Sequence, residues 1–172
     1  MALTPALSSL GDLLSEKLAT RKGVGNVADL EPLKPAEGEG KGLGGEGRIV
    51  VCGFGAVGQI VGSLLNSPVI RSELGADYVA FDLNPTRVRE SRAQGFPVFY
   101  GDGSQPEVLR TAGLEDPMAL VVTYTNSEVS IQAVQRLHQA FPQTPIFSRA
   151  KNYEQYVVLQ ESGATAVVSD LR

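Results

Sequence analysis

Four apolar residues, Ile49-Val50-Val51-Cys52, run directly into Gly53-Phe54-Gly55-Ala56-Val57-Gly58, and Gln59-Ile60-Val61-Gly62-Ser63-Leu64-Leu65 continues with a helical pattern. A buried strand, a three-glycine turn and a helix in that order leave few folds open, because each glycine answers a different steric demand. Gly53 permits the tight turn, Gly55 lets backbone approach a phosphate with no Cβ in the way, and Gly58 lets the helix pack closely on the strand. Amides without partners at such a helix start, with the positive end of the helix dipole behind them, form a cradle for an anion. The competing account is a tight turn that holds no ligand. A glycine pattern alone does not separate the two; the strand before it and the helix after it favour the cradle.

Downstream, short apolar runs alternate with helical patterns, the arrangement that produces a parallel sheet covered on both faces. The strands expected are Arg48 to Gly53, Tyr78 to Asp82, Pro97 to Tyr100, Ala119 to Tyr124, Pro145 to Arg149 and Ala164 to Ser169. Asn84 before Pro85 reads as a helix cap, Ser104 with Glu107 has capping-box spacing around Pro106, and Asn152 opens a helix that Gly163 closes. The fold class is therefore α/β, a Rossmann-like doubly wound parallel sheet of about six strands.

Such sheets bind ligands at the carboxyl ends of their strands. Asp82 ends the second strand, 24 positions after Gly58, near the spacing of about 20 for an acid that accepts ribose hydroxyls. A carboxylate there also repels a 2′-phosphate, although Arg87 and Arg89 nearby work against that. Asp82 with Leu83 and Asn84 also has the composition of a simple turn, and the two roles are compatible. The third strand ends in Gly101-Asp102-Gly103-Ser104, where Asp102 is suited to accept from an adenine amino group, while turn formation and helix capping explain the same residues without a ligand. Arg149 closes the fifth strand and suits a phosphate or an acidic ligand, or else a surface ion pair. Thr123, in the fourth strand, completes the candidate cofactor-binding set.

The first twenty residues place Leu3, Leu7, Leu10, Leu14 and Leu18 at helical spacing, giving an amphipathic helix over 1–20. Eight of the 19 glycines then fall between Gly23 and Gly47 with no apolar period, which marks 21–47 as a flexible, disordered linker and 48–172 as the single domain. A net charge of -4 offers no chain-wide attraction to nucleic acid, so any anion must be captured locally. One cysteine, Cys52 in an apolar run, reads as an inert buried thiol, and His138 as a solvated surface residue. No Tyr-x-x-x-Lys pair, nucleophile elbow, second substrate domain or metal-ligand cluster is present, so neither catalytic nor metal residues are assigned. A nucleotide cradle without an acid, a base or a substrate pocket suits sensing better than catalysis. The alternatives are the cofactor half of an NAD-dependent oxidoreductase and an assembly module without ligand.

Arg48 to Ser169 resembles the regulatory nucleotide-binding domain called RCK, KTN or TrkA-N. The likeness is carried by Phe81-Asp82-Leu83-Asn84-Pro85, by Gly95-Phe96-Pro97-Val98-Phe99-Tyr100-Gly101-Asp102-Gly103-Ser104 and by Ala133-Val134-Gln135-Arg136-Leu137, and points to potassium efflux antiporters of the Kef and plant KEA type. The longer connection between Leu65 and Tyr78 resembles the plant and algal branch, and Met1-Ala2-Leu3-Thr4-Pro5 resembles the end of the last transmembrane helix, which makes the chain a carboxyl-terminal piece. The resemblance implies a soluble gate on a monovalent cation/proton antiporter that binds ATP, ADP, AMP or NAD(H). Its partners are then the membrane domain of the same polypeptide and a second copy, paired through a helix after the sixth strand. The setting implied is the chloroplast stroma beside a thylakoid or envelope membrane, or the cytoplasmic side in bacteria. Carried over by position, Gly53, Gly55 and Gly58 with the Phe54 and Val57 amides meet phosphates, Asp82 the ribose, and Asp102 with Ser104 the adenine side. Arg149 matches an Ala-Arg-Ala-type motif, with Ser148 in place of the first alanine, that bacterial members use for a glutathione adduct.

Overall fold

The computed structural model describes residues 47–169. The expected amino-terminal helix and nearly all of the expected linker lie outside the described residues. Six strands form one sheet: β1 (Ile49–Cys52), β2 (Tyr78–Asp82), β3 (Val98–Tyr100), β4 (Ala119–Val122), β5 (Ile146–Ala150) and β6 (Ala166–Ser169). Their order is β3-β2-β1-β4-β5-β6 and every pairing is parallel, with Val51 of β1 standing between Ala80 of β2 and Val121 of β4. This is the doubly wound order expected. It reverses direction between β1 and β4 and so opens a crevice at their carboxyl ends.

Every residue of β1, β2 and β4 is buried, which is why these strands read as continuous apolar runs rather than alternating ones. The pleat divides them between two cores. Val50, Cys52, Val79, Phe81, Leu120 and Val122 pack with Leu109, Leu137 and Leu159 of the helices α4 (Pro106–Thr111), α5 (Ser127–Ala140) and α6 (Tyr153–Glu161). On the other face Ile49, Val51, Ala80 and Val121 meet Val61 and Leu65 of α1 (Ala56–Leu65) and Val88 of α3 (Pro85–Ala93). Each fully buried Val, Leu or Phe stabilises the fold by roughly 1.5–3 kcal/mol, so the site loops stand on a firm base.

Local signals account for most helix ends. The Asn84 side chain accepts from the Arg87 amide at 3.1 Å with Pro85 opening α3, and Asn152 accepts from Gln155 at 2.8 Å to start α6. Ser104 departs from expectation. The N-cap of α4 is Gln105, which makes no side-chain cap bond and donates to Asp102, and the Ser104 hydroxyl is likewise committed to Asp102. The long connection after α1 contains an unanticipated helix, α2 (Pro68–Leu74), with proline in its first turn and Gly75 ending it in the left-handed region at φ 58°.

Candidate functional site

The glycine loop leaves β1 with Gly53 at φ 93°, a conformation that L side chains rarely adopt. A Cβ there would lie 3.0 Å from the Tyr124 ring and 3.1 Å from Thr123 Oγ1. Thr123 fastens the turn from below: its buried hydroxyl donates to the Gly53 carbonyl at 2.7 Å. A Cβ on Gly58 would meet the Gly53 carbonyl oxygen at 2.3 Å, so α1 lies against the turn as closely as backbone allows. Gly55 is the opposite case, with nothing within 4 Å of its would-be Cβ. It is the N-cap of α1, makes no side-chain cap bond and has no acidic residue in the turn that follows. The first intrahelical bond runs from Gln59 to the Gly55 carbonyl, which leaves the amides of Ala56, Val57 and Gly58 without helical partners; Ala56 is exposed, Val57 half-buried and Gly58 buried. That is the geometry of an anion cradle.

Phe54 points inward. Its ring is buried, packs over Gly62 and lies 5.3 Å from the Phe96 ring, so its bulk anchors the loop while only its amide faces the crevice. That amide donates to Asp82 Oδ2 at 2.6 Å. Asp82, only 6% exposed, also accepts from the Asn84 amide at 2.8 Å and from Arg87 Nη1 at 3.0 and 2.9 Å. The turn role of Asp82 is thus present, together with two bonds that turn chemistry does not explain: the tie to the glycine loop and the ion pair with Arg87. Beside it, Leu83 is 58% exposed and presents an apolar surface at the mouth of the crevice.

A second carboxylate organises the end of β3. Asp102 accepts from the Ser104 amide at 3.0 Å, the Ser104 hydroxyl at 2.7 Å, Gln105 at 3.3 Å and the Tyr124 hydroxyl at 3.2 Å. Partial burial pulls its carboxyl upward, but the bonds from Ser104, Gln105 and Tyr124 outweigh that and hold it below its ordinary range. Arg136 reaches in from α5 to donate to the Ser104 hydroxyl at 2.8 Å, and its Nε is buried with no hydrogen-bond partner. Burial pushes the Cys52 thiol well up, with the Asp102 charge adding to it, so Cys52 stays protonated and donates to the Gly103 carbonyl at 3.1 Å.

The crevice therefore brings together the glycine loop, Asp82, Leu83, Asn84, Gly101, Asp102, Gly103 and Ser104; Gly101 joins through its amide bond to the Asp82 carbonyl at 3.2 Å. Thr123 lies beneath the loop as a support, and Arg149 stands on β5, half-buried and paired in register with Val168. Reasoning from sequence missed Arg87 as a partner of Asp82, and it missed Tyr124 and Arg136. Arg87 carries a signal, since a helix whose first residue is Pro85 turns its third residue back toward the strand end. Tyr124 and Arg136 carry none, because their partners, Asp102 and Ser104, lie 22 and 32 positions away and meet them only through the sheet order.

Among the described residues no helix is long and apolar enough to cross a membrane. Over 98% of its length the chain is 39% identical to K(+) efflux antiporter 3, chloroplastic, of Arabidopsis thaliana, and it spans 21% of that protein. It is 26% identical to the solved TrkA-N domain of the inner membrane protein ybaL from Escherichia coli, with a TM-score of 0.61 over 73% of this chain and 87% of that one. The Shewanella denitrificans Kef CTD, solved in AMP-bound form, is also 26% identical, with a TM-score of 0.57 over 72% of this chain and 71% of that one. Residues 49–170 match the TrkA-N domain, and the chain belongs to that family.

Proposed function

We propose that this domain is the nucleotide-sensing regulator of a K+/H+ antiporter: it binds an adenine nucleotide and passes its occupancy to a membrane domain in the same polypeptide. The observation that carries the reading is the uncapped start of α1 at Gly55, open to solvent and facing a buried carboxylate that the same loop already touches. Phosphates take the amides of Ala56, Val57 and Gly58, the ribose hydroxyls take Asp82, Leu83 backs the adenine, and the Asp102–Ser104 group lines the far side. Arg149, at the carboxyl edge of β5, is the candidate for a second anionic group. The AMP-bound Kef domain, which shares the fold, supports a nucleotide as the occupant. The relatives' transport activity and the carboxyl edge, which carries binding groups but no paired acid and base, support regulation without turnover. The similarity to a chloroplastic antiporter supports a plastid membrane as the setting.

Calorimetric titration of the chain with ATP, ADP, AMP, NADH and NADPH tests the reading. Saturable binding of at least one, with no product formed, is expected. Absence of binding to all five at millimolar ligand refutes it, and a substrate-dependent loss of NADH absorbance would transfer the domain to the oxidoreductases.

A further inference from the structure

The strands are parallel, so their starts gather at the edge opposite the glycine loop, and there the chain lines a second, open cavity of about 480 Å³. Its size is that of a small-molecule pocket. Arg48 precedes β1 at its rim, Arg71 comes from α2, and Arg92 from α3, against a single carboxylate, Asp77. Arg71 is paired with Asp77 at 2.8 Å. Arg92 is held in place by its Nε bond to the Val98 carbonyl at 2.6 Å and by the Phe99 ring 5.1 Å beneath its guanidinium, so its orientation is set while its Nη groups keep their donors. Among the described residues nothing pairs with the Arg48 side chain. The wall between these cations is apolar, built on Phe96.

At the floor lies Tyr78. It is 5% exposed, yet its hydroxyl has no hydrogen-bond partner. Buried polar groups in folded proteins are nearly always satisfied; this hydroxyl is sealed beneath the cavity wall, beside Gly62 of α1, and does not open into the cavity. Arg71 lies close enough to the phenol to draw its proton affinity down, against the larger upward effect of burial, so the hydroxyl remains a donor.

We propose that this cavity is a second ligand site, separate from the nucleotide crevice, for a small organic anion: a phosphate or carboxylate carried on an apolar body. The head group meets the Arg48 and Arg92 guanidiniums, while the body lies against Phe96. Guanidinium donors bind either anion in paired fashion, so the head group is decided by experiment.

Titration of the isotope-labelled full chain, followed by amide resonances, tests this with phenyl phosphate, benzoate and the neutral benzyl alcohol. Saturable shifts centred on Tyr78, Gly95 and Phe96 are expected for at least one anion, the tighter of the two identifying the head group, with benzyl alcohol at least tenfold weaker. Arg48→Gln should weaken the anion by about tenfold, whereas Tyr78→Phe, which changes a hydroxyl outside the cavity, should leave it unchanged. Tyr78→Phe removes only the orphan hydroxyl, so the chain should fold as before, and Arg48→Gln touches no described side-chain contact. Shifts confined to the glycine loop, equal binding of benzyl alcohol, or unchanged affinity in Arg48→Gln would overturn the proposal. These outcomes are read at the amino edge and are independent of nucleotide binding at the carboxyl edge.

Discussion

Asp82 has two oxygens and about four lone-pair positions, and all four are occupied: the Phe54 and Asn84 amides take one each and Arg87 Nη1 reaches both oxygens. A ribose that donates two hydroxyls to this carboxylate must therefore displace a donor. The amides are fixed in the loop and the turn, whereas the Arg87 side chain is 38% exposed and free to swing into solvent. Arg87 is then a competitor of the ribose, and Arg87→Ala should bind adenosine more tightly than the parent chain. Exposed ion pairs are worth roughly 0–1 kcal/mol, and the burial of Asp82 places this one near the top of that range, so the expected gain is about 1 kcal/mol, or about fivefold in affinity. Adenosine is the appropriate ligand because it carries no phosphate for Arg87 to contact. Calorimetry at low and high ionic strength completes the test, since screening weakens the pair in the parent and should narrow the difference. Equal or weaker binding by Arg87→Ala refutes the exchange.

The glycines separate fold from ligand. Gly58→Ala drives a Cβ into the Gly53 carbonyl and should cost about 1–3 kcal/mol by urea unfolding, whereas Gly55→Ala, at φ -68° and in open space, should leave stability nearly intact while weakening nucleotide binding by tenfold or more. NADPH should bind at least tenfold more weakly than NADH in parallel titrations, because a 2′-phosphate cannot donate to the buried Asp82 carboxylate and is repelled by its charge; equal affinities would remove Asp82 from ribose recognition. Asp102 has a folded carboxyl value below its ordinary 3.8, so its stabilisation is complete above that value and is lost as pH falls through the folded one. Asp102→Asn should therefore flatten the acid limb of stability against pH, with the two urea midpoints converging in strong acid.

How far the sequence reaches depends on the range of the interaction that specifies each feature. The β1 strand, the glycine turn and α1 are written in consecutive residues, as are the Asn84 and Asn152 caps, and all are legible. Strand order follows from general rules of parallel sheets once the alternation of strands and helices is seen. Strand limits shift by a residue or two: β4 ends at Val122 rather than Tyr124, because the Thr123 hydroxyl turns to the Gly53 carbonyl and Tyr124 to Asp102. The Ser104 cap failed for a related reason. Its spacing to Glu107 fits a capping box, but Asp102 two residues earlier and Arg136 from a distant helix claim the hydroxyl first. The helix α2 had local signals in Ser67-Pro68 and Gly75, masked by a short span that lacks any fully buried residue.

A domain that reports occupancy must differ between its filled and empty forms by something the ligand itself trades. The crevice is internally bonded: Asp82 ties the glycine loop to β2 through the Phe54 amide and ties α3 to β2 through Arg87. Phe54 carries that tie into the core beneath α1, where its ring meets Gly62 and Phe96. A ribose at Asp82 exchanges protein bonds for ligand bonds at the point where the loop, one strand and two helices converge. The bonds it exchanges most readily are those of Arg87, which lies in the first turn of α3 on the protein surface. On the proposed reading, displacement of Arg87 by a bound nucleotide changes the charge presented by α3, and that change is what a neighbouring domain would read.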